Sequence, residues 1–165
     1  SEALKVCLVD ADLRAGTVHA LFGCPRAPGL ADIMLDRTPP RAARHSVAAG
    51  SLSILTCGRD ADSPGEVLGS DHMQELIGWL KQRNQYILFD TPPALVFADA
   101  GELARAVDGV VFVVAMDDTS KQDAEQALAQ LEKAGANVIG CFVTGGLPEE
   151  VDPVEAEPEA GEELP

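Results

Sequence analysis

No apolar run in this chain approaches the 18 or so residues of a membrane-spanning helix, and no basic segment leads into an apolar stretch as in a signal peptide. A soluble, cytoplasmic protein is expected. Paired metal-binding cysteines are missing too. Cys7, Cys24, Cys57 and Cys141 are widely separated, and three of them lie inside apolar runs. Neither a CxxC metal site nor a disulfide framework is indicated, so buried, reduced thiols are expected. His19, His45 and His72 show no pairing with one another or with a cysteine, which places them on the surface or in helix packing.

Bases are scarce: 12 Lys and Arg stand against 27 Asp and Glu, a net charge of -15. Eight of those acids and no base fall between Glu149 and Glu163, so -8 lies in the tail and -7 in the remainder. With Pro148, Pro153, Pro158 and Pro165 interspersed, residues 147–165 cannot repay the entropy of ordering and are expected to be a disordered acidic tail. Such a charge repels phosphates, and nucleic acid is not an expected partner. At 165 residues and 46% apolar content, the rest suits one domain, residues 1–146.

Five short runs, "ALKVCLVD", "SLSILTC", "YILFD", "GVVFVVA" and "NVIGCFVT", are rich in Val, Ile, Leu or Phe and bounded by polar residues or glycine. Runs apolar on both faces fit strands of a parallel sheet covered by helices. Met73, Leu76, Ile77 and Leu80 make one helical stripe, with Ser70 as N-cap and an end near Arg83, and Trp79 partly buried. Thr119 and Gln122 have capping-box spacing ahead of Ala124, Ala127, Leu128 and Leu131, and Gly135 is a natural stop. "GLADIML" and "GELARAV" read as shorter helices, and Asp36 to Gly50 as a less regular basic connection. The alternation predicts an α/β, doubly wound, mostly parallel sheet.

In such sheets ligands bind beyond the carboxyl ends of the strands. Asp10 and Asp12, then Asp90, then Asp117 and Asp118 occupy those places. Carboxylates facing one crevice suit Mg²⁺, which takes few protein oxygens and is completed by substrate phosphates. A single aspartate at a strand end is explained by backbone bonds in the turn. "VDAD" and "LFDTPP" together are not.

"CLVDADLR" resembles the Walker A′ motif, and "ILFDTPP" the Walker B motif, of the bacterial tyrosine kinases that regulate capsule and exopolysaccharide synthesis and export. The likeness continues through "LFGCPRAPGLADIML", "SLSILTCG", "SPGEVLGSDHMQEL" and "DTPPALVFADAGELARAVDGVVFVV" to about Gly145. These kinases belong to the wider MinD- and ParA-like P-loop group, from which "PGLADIML" and "DTPPALVFADA" pull towards the kinase branch. The resemblance implies that Asp10 holds Mg²⁺ through its water shell, that Asp90 completes the metal environment, and that Asp12 is the base beside the attacking hydroxyl. It implies transfer of the ATP γ-phosphoryl to tyrosine, and a membrane chain-length-determinant (polysaccharide co-polymerase) protein as partner, with homo-oligomers as a further possibility.

The chain departs from that family in three places. No GxxxxGK[ST] loop occurs in it, so the phosphates lack their cradle and weak or no ATP binding is expected of this chain alone. The family's first strand, P-loop and first helix are expected to be missing upstream of Ser1, leaving the interior edges of "YILFD" and "GVVFVV" unpaired. A monomeric, cooperatively melting chain would contradict that expectation. Tyr86 is the only tyrosine, where the family ends in a tyrosine cluster, and "VTGG" replaces the family's Asn near the adenine. The alternatives are a non-catalytic, kinase-like regulatory module and a MinD- or ParA-like ATPase. Of the remaining basic residues, Arg14 is expected to pair with an aspartate, and Arg37, Arg41, Arg44 and His45 to be solvated. Ser63 and Ser70 read as loop and capping residues rather than nucleophiles.

Overall fold

The computed structural model describes residues 4–47 and 50–145. The acidic stretch 147–165 lies outside the described residues. Each of the five apolar runs forms a strand: β1 (Val6–Asp10), β3 (Leu52–Leu55), β4 (Tyr86–Asp90), β5 (Val110–Ala115) and β6 (Val138–Thr144). A further strand, β2 (Arg44–Val47), lies within the basic connection and runs antiparallel to β3. Its sequence, RHSV, has neither length nor apolar alternation to announce it; the edge of β3 creates it.

The helices are α1 (Val18–Phe22), α2 (Leu30–Asp36), α3 (Pro40–Ala43), α4 (Pro64–Leu68), α5 (Asp71–Lys81), α6 (Asp99–Ala104) and α7 (Lys121–Lys133). Ser70 caps α5 as expected, its hydroxyl accepting from the Met73 N–H at 3.3 Å. Met73, Leu76, Ile77 and Leu80 are its buried residues. The cap of α7 is Ser120, one residue beyond the expected Thr119, because the Ser120 hydroxyl accepts from Asp123 N–H at 3.1 Å. Gly135 follows that helix with a left-handed φ of 87°.

The sheet is divided. β2, β3, β1 and β4 form one sheet in that order, parallel except at β2, and β5 and β6 form a second parallel pair. Among the described residues β4 pairs only with β1 and β5 only with β6, so each presents an open edge. Between them lies a cleft of about 670 Å³, lined by Leu88, Phe89, Asp90, Val111, Val113 and Ile139 among others. The division corrects the expected burial of strands on both faces. Leu88, Val111 and Val113 are more than half exposed, as is Phe142 on β6. Cys141, on the same strand, is exposed rather than buried.

One core joins β1 and β3 to α2, α4, α5 and α6 through Val9, Leu30, Leu55, Leu68, Met73, Leu76, Leu80 and Leu103. The first turn of α2 is tied to the end of β3: Leu30 N–H donates to Thr56 O at 2.7 Å and Ala31 N–H to Cys57 O at 2.9 Å. Gly58 makes this junction possible. It sits at φ 85°, and a Cβ there would come within 2.5 Å of Asp32 Oδ2.

Gly58→Ala is therefore expected to lower the urea midpoint by the equivalent of roughly 1–3 kcal/mol. Gly78→Ala, in the middle of α5 with open space around it, should raise stability by up to about 1 kcal/mol. Equal effects of the two substitutions would contradict the junction's geometry.

Candidate active site

Asp10 and Asp90 close adjacent parallel strands and are register partners, so they stand side by side at the same sheet level, where neighbouring strands are about 4.8 Å apart. Ala11 N–H donates to Asp90 O at 2.8 Å and locks the two strand ends together. Asp10 is fully buried. Its Oδ2 accepts from Val18 N–H at 3.2 Å, whereas its Oδ1 has no hydrogen-bond partner. Gly16 lies against this carboxylate, and a Cβ there would come within 2.6 Å of Oδ2. Burial pushes the Asp10 pKa up against the opposing pull of the Val18 N–H, and the charges of Asp90 and Asp12 push it further.

Asp12 behaves as a turn residue as well as a site residue. Its Oδ1 accepts from Arg14 N–H at 3.0 Å and Ala15 N–H at 2.9 Å, which fixes the chain as it leaves β1. Asp90 is exposed as a residue, yet its carboxyl loses part of its water shell at the strand mouth. That desolvation, followed by the charge of Asp12, raises its pKa. The three aspartates thus form one electrostatic group. Asp117 and Asp118 follow β5 and belong to the other sheet.

The donor set fits a hydrated Mg²⁺. Hard carboxylate oxygens are clustered at one strand mouth, and the unpartnered Asp10 Oδ1 is a buried acceptor without a donor. The basic side chain nearest in sequence is committed elsewhere. Arg14 makes a two-pronged pair with Asp99, Nε to Oδ2 at 2.8 Å and Nη2 to Oδ1 at 3.1 Å, and stacks 4.1 Å above the Phe97 ring.

Elsewhere the expectations divide. Trp79 is half-buried, with Arg83 4.2 Å and Arg44 6.0 Å from its ring centroid, so Arg44 is not merely solvated. Ser63 precedes α4 without a side-chain cap bond. The histidine reading needs correction: His19 is brought together with Cys57 and Asp10, their ligand atoms all within 4.8 Å of one another. Asp10 closes β1, His19 lies in α1 and Cys57 in the loop after β3, and no local spacing could have revealed them.

No protein-family model matches the chain. The tyrosine-protein kinase YwqD of Bacillus subtilis (strain 168) is 34% identical over 141 residues, covering 86% of this chain and 60% of YwqD. The crystal structure of the VpsO kinase domain superposes with a TM-score of 0.79 at 30% identity, over 84% of this chain and 69% of that one. The chain belongs to the bacterial tyrosine kinases. The tyrosine-protein kinase Etk of Escherichia coli (strain K12) is 28% identical over 86% of this chain but only 19% of Etk. This bacterial tyrosine-kinase chain therefore spans about 60% of YwqD and a fifth of Etk. The septum site-determining protein MinD of Pyrococcus horikoshii OT3, solved with Mg-ADP, shares the fold at a TM-score of 0.66 and 22% identity. None of the described helices is long and apolar enough to cross a membrane.

The raised pKa of Asp10 gives a signed pH dependence. A carboxyl whose folded pKa lies above its unfolded value binds more protons when folded, so this group's contribution falls as pH rises through the interval between the two values. Asp10→Asn removes the buried charge, and its urea midpoint is expected to exceed that of the parent chain at pH 7. That advantage should vanish below about pH 4, where the aspartate is protonated in both states. An advantage unchanged between pH 7 and pH 3.5 would contradict the assignment. Arg14→Met, which strands the buried Asp99 carboxylate, should cost roughly 1–3 kcal/mol in the same assay.

Proposed function

We propose that this chain carries the metal-binding and base-bearing side of an ATP-dependent protein-tyrosine kinase site. The observation that supports it is the buried Asp10, with a free Oδ1, standing in register with Asp90 beside an open cleft. In this reading Asp10 and Asp90 hold Mg²⁺ through its water shell. The ion, when bound, offsets charge on the ATP phosphates. Asp12 sits beside the tyrosine hydroxyl and takes its proton as the phenolic oxygen bonds to the γ-phosphorus and the bond to the β-phosphate oxygen breaks. "CLVDADLR" and "ILFDTPP" are then the Walker A′ and Walker B segments.

The phosphate side of such a site needs a glycine-rich loop and a lysine. The cleft between β4 and β5 has the form that a strand bearing that loop requires. Both of its walls are edges of strands from parallel pairs, unpaired on the cleft side among the described residues, and Asp90 at the end of β4 lines it. We place a strand, P-loop and helix segment there. The kinase would then serve capsule or exopolysaccharide synthesis and export, alongside a membrane chain-length-determinant protein and as a homo-oligomer.

A second reading is favoured by Arg14, whose engagement with Asp99 withdraws it from phosphate binding. On that reading the chain is a kinase-like regulatory module without turnover.

Mg-ATP titration by calorimetry decides between them. Residues 1–165 alone should show no micromolar binding, whereas the same chain co-expressed with a strand–GxxxxGK[ST]–helix segment should bind and phosphorylate tyrosine. Asp12→Asn in that assembly should lower phosphorylation by about 10²–10⁴-fold. Micromolar binding by the chain alone would overturn the need for the loop. Stable assembly without binding or phosphorylation would leave the regulatory reading.

A further inference from the structure

Asp10 closes β1, His19 lies in α1 and Cys57 follows β3, yet their ligand atoms converge to within 4.8 Å of one another. Asp10 and Cys57 are both 0% exposed. On two of these three side chains a buried polar atom, Asp10 Oδ1 and His19 Nδ1, has no hydrogen-bond partner. Buried polar atoms are ordinarily satisfied, and two left open on side chains of one converging cluster call for a common partner. Cys57 Sγ makes long contacts of 3.9 Å to Gly16 O and 3.7 Å to Gly58 O, with the Arg26 guanidinium beside it.

We propose that Asp10, His19 and Cys57 form a binding site for Zn²⁺ or a similar borderline divalent transition metal, with water in the fourth position. One oxygen, one imidazole nitrogen and one thiolate sulfur are a tetrahedral zinc set. Zinc bond lengths of about 2.0–2.3 Å place tetrahedral ligands roughly 3.3–3.8 Å apart. Side-chain shifts of about 1 Å therefore suffice. The nitrogen and sulfur donors select against Mg²⁺.

The surroundings fit this use. Gly16 leaves room against the Asp10 carboxylate, and its carbonyl also touches Cys57. Burial raises the Cys57 pKa, while the Arg26 guanidinium beside it favours the thiolate. Arg26 is itself held by Asp60 at 2.7 Å, which offsets its repulsion of a cation. On binding, Cys57 loses its proton to solvent and supplies the sulfur lone pair. Because the Asp10 carboxylate is shared, a transition metal here and a hydrated Mg²⁺ at the strand mouth exclude each other. The site uses only this chain's own residues and stands whether or not the kinase reading holds.

Cobalt titration of the full, reduced chain without nucleotide tests it. A thiolate-to-cobalt charge-transfer band should appear in the near ultraviolet at one equivalent, disappear on adding Zn²⁺, and survive a large excess of Mg²⁺. Cys57→Ser should abolish the band. Cys24→Ser with Cys141→Ser should leave it intact, and His19→Ala should weaken cobalt binding at least about tenfold. If Cys57→Ser fails to fold by circular dichroism, the His19→Ala affinity carries the test. No band at saturating cobalt, a band persisting in folded Cys57→Ser, or unchanged affinity in His19→Ala would overturn the proposal. Because no nucleotide is present, these outcomes are independent of the ATP experiment.

Discussion

β1 is paired along its length on both sides, and the placement of the site depends on that fact. β3 on one edge and β4 on the other hold Val6 to Val9 in fixed register, so the chain reaches Asp10 with no freedom to choose its height or direction. Val9 and Cys7 are fully buried beneath it. A carboxylate delivered this way loses its water whether or not a ligand compensates. Val18 N–H satisfies one oxygen and nothing satisfies the other. The local chemistry follows from that imbalance: a raised pKa, and a glycine at position 16 because a Cβ there would press on the carboxylate.

The other half of the structure is governed by what β4 and β5 lack. Backbone N–H and C=O groups are strong donors and acceptors, and a strand with one free edge leaves a row of them to solvent or to another strand. Here two such edges face one cleft, with Val and Leu side chains exposed on the strands that bear them. Parallel strands buried on both faces read as continuous apolar runs. "YILFD" and "GVVFVVA" are runs of that kind, and their exposure here marks an interior sequence standing at an edge. The strand order thus leaves two apolar edges facing one cleft among the described residues.

The fold was legible where information is local. Each apolar run became a strand because it carries its own β-branched content, and Ser70 announced α5 because a cap needs only the next three residues. β2 escaped because a four-residue polar strand exists only through its neighbour, and Ser120 displaced Thr119 because both hydroxyls are suitable and the backbone decides. Asp10 and Asp90 could be placed together from sequence, since strand ends in a parallel sheet share a mouth. Cys141 was misplaced for the complementary reason: burial of a strand residue depends on partners that sequence does not name.

The His19 and Cys57 convergence belongs to a further class, in which tertiary structure creates chemistry that neither residue suggests. α1 follows β1 after a turn fixed by Asp12, and α2 ties the end of β3 to the same region through Leu30 and Ala31. Those backbone bonds serve the fold, yet they set an imidazole and a thiol against the carboxylate that the strand register has desolvated. A hard ion would use that carboxylate through water and ignore the other two; a softer ion would use all three. Which of the two proposed metals would occupy Asp10 thus depends on how far the cation enters the protein, and the buried geometry around Asp10 sets that depth.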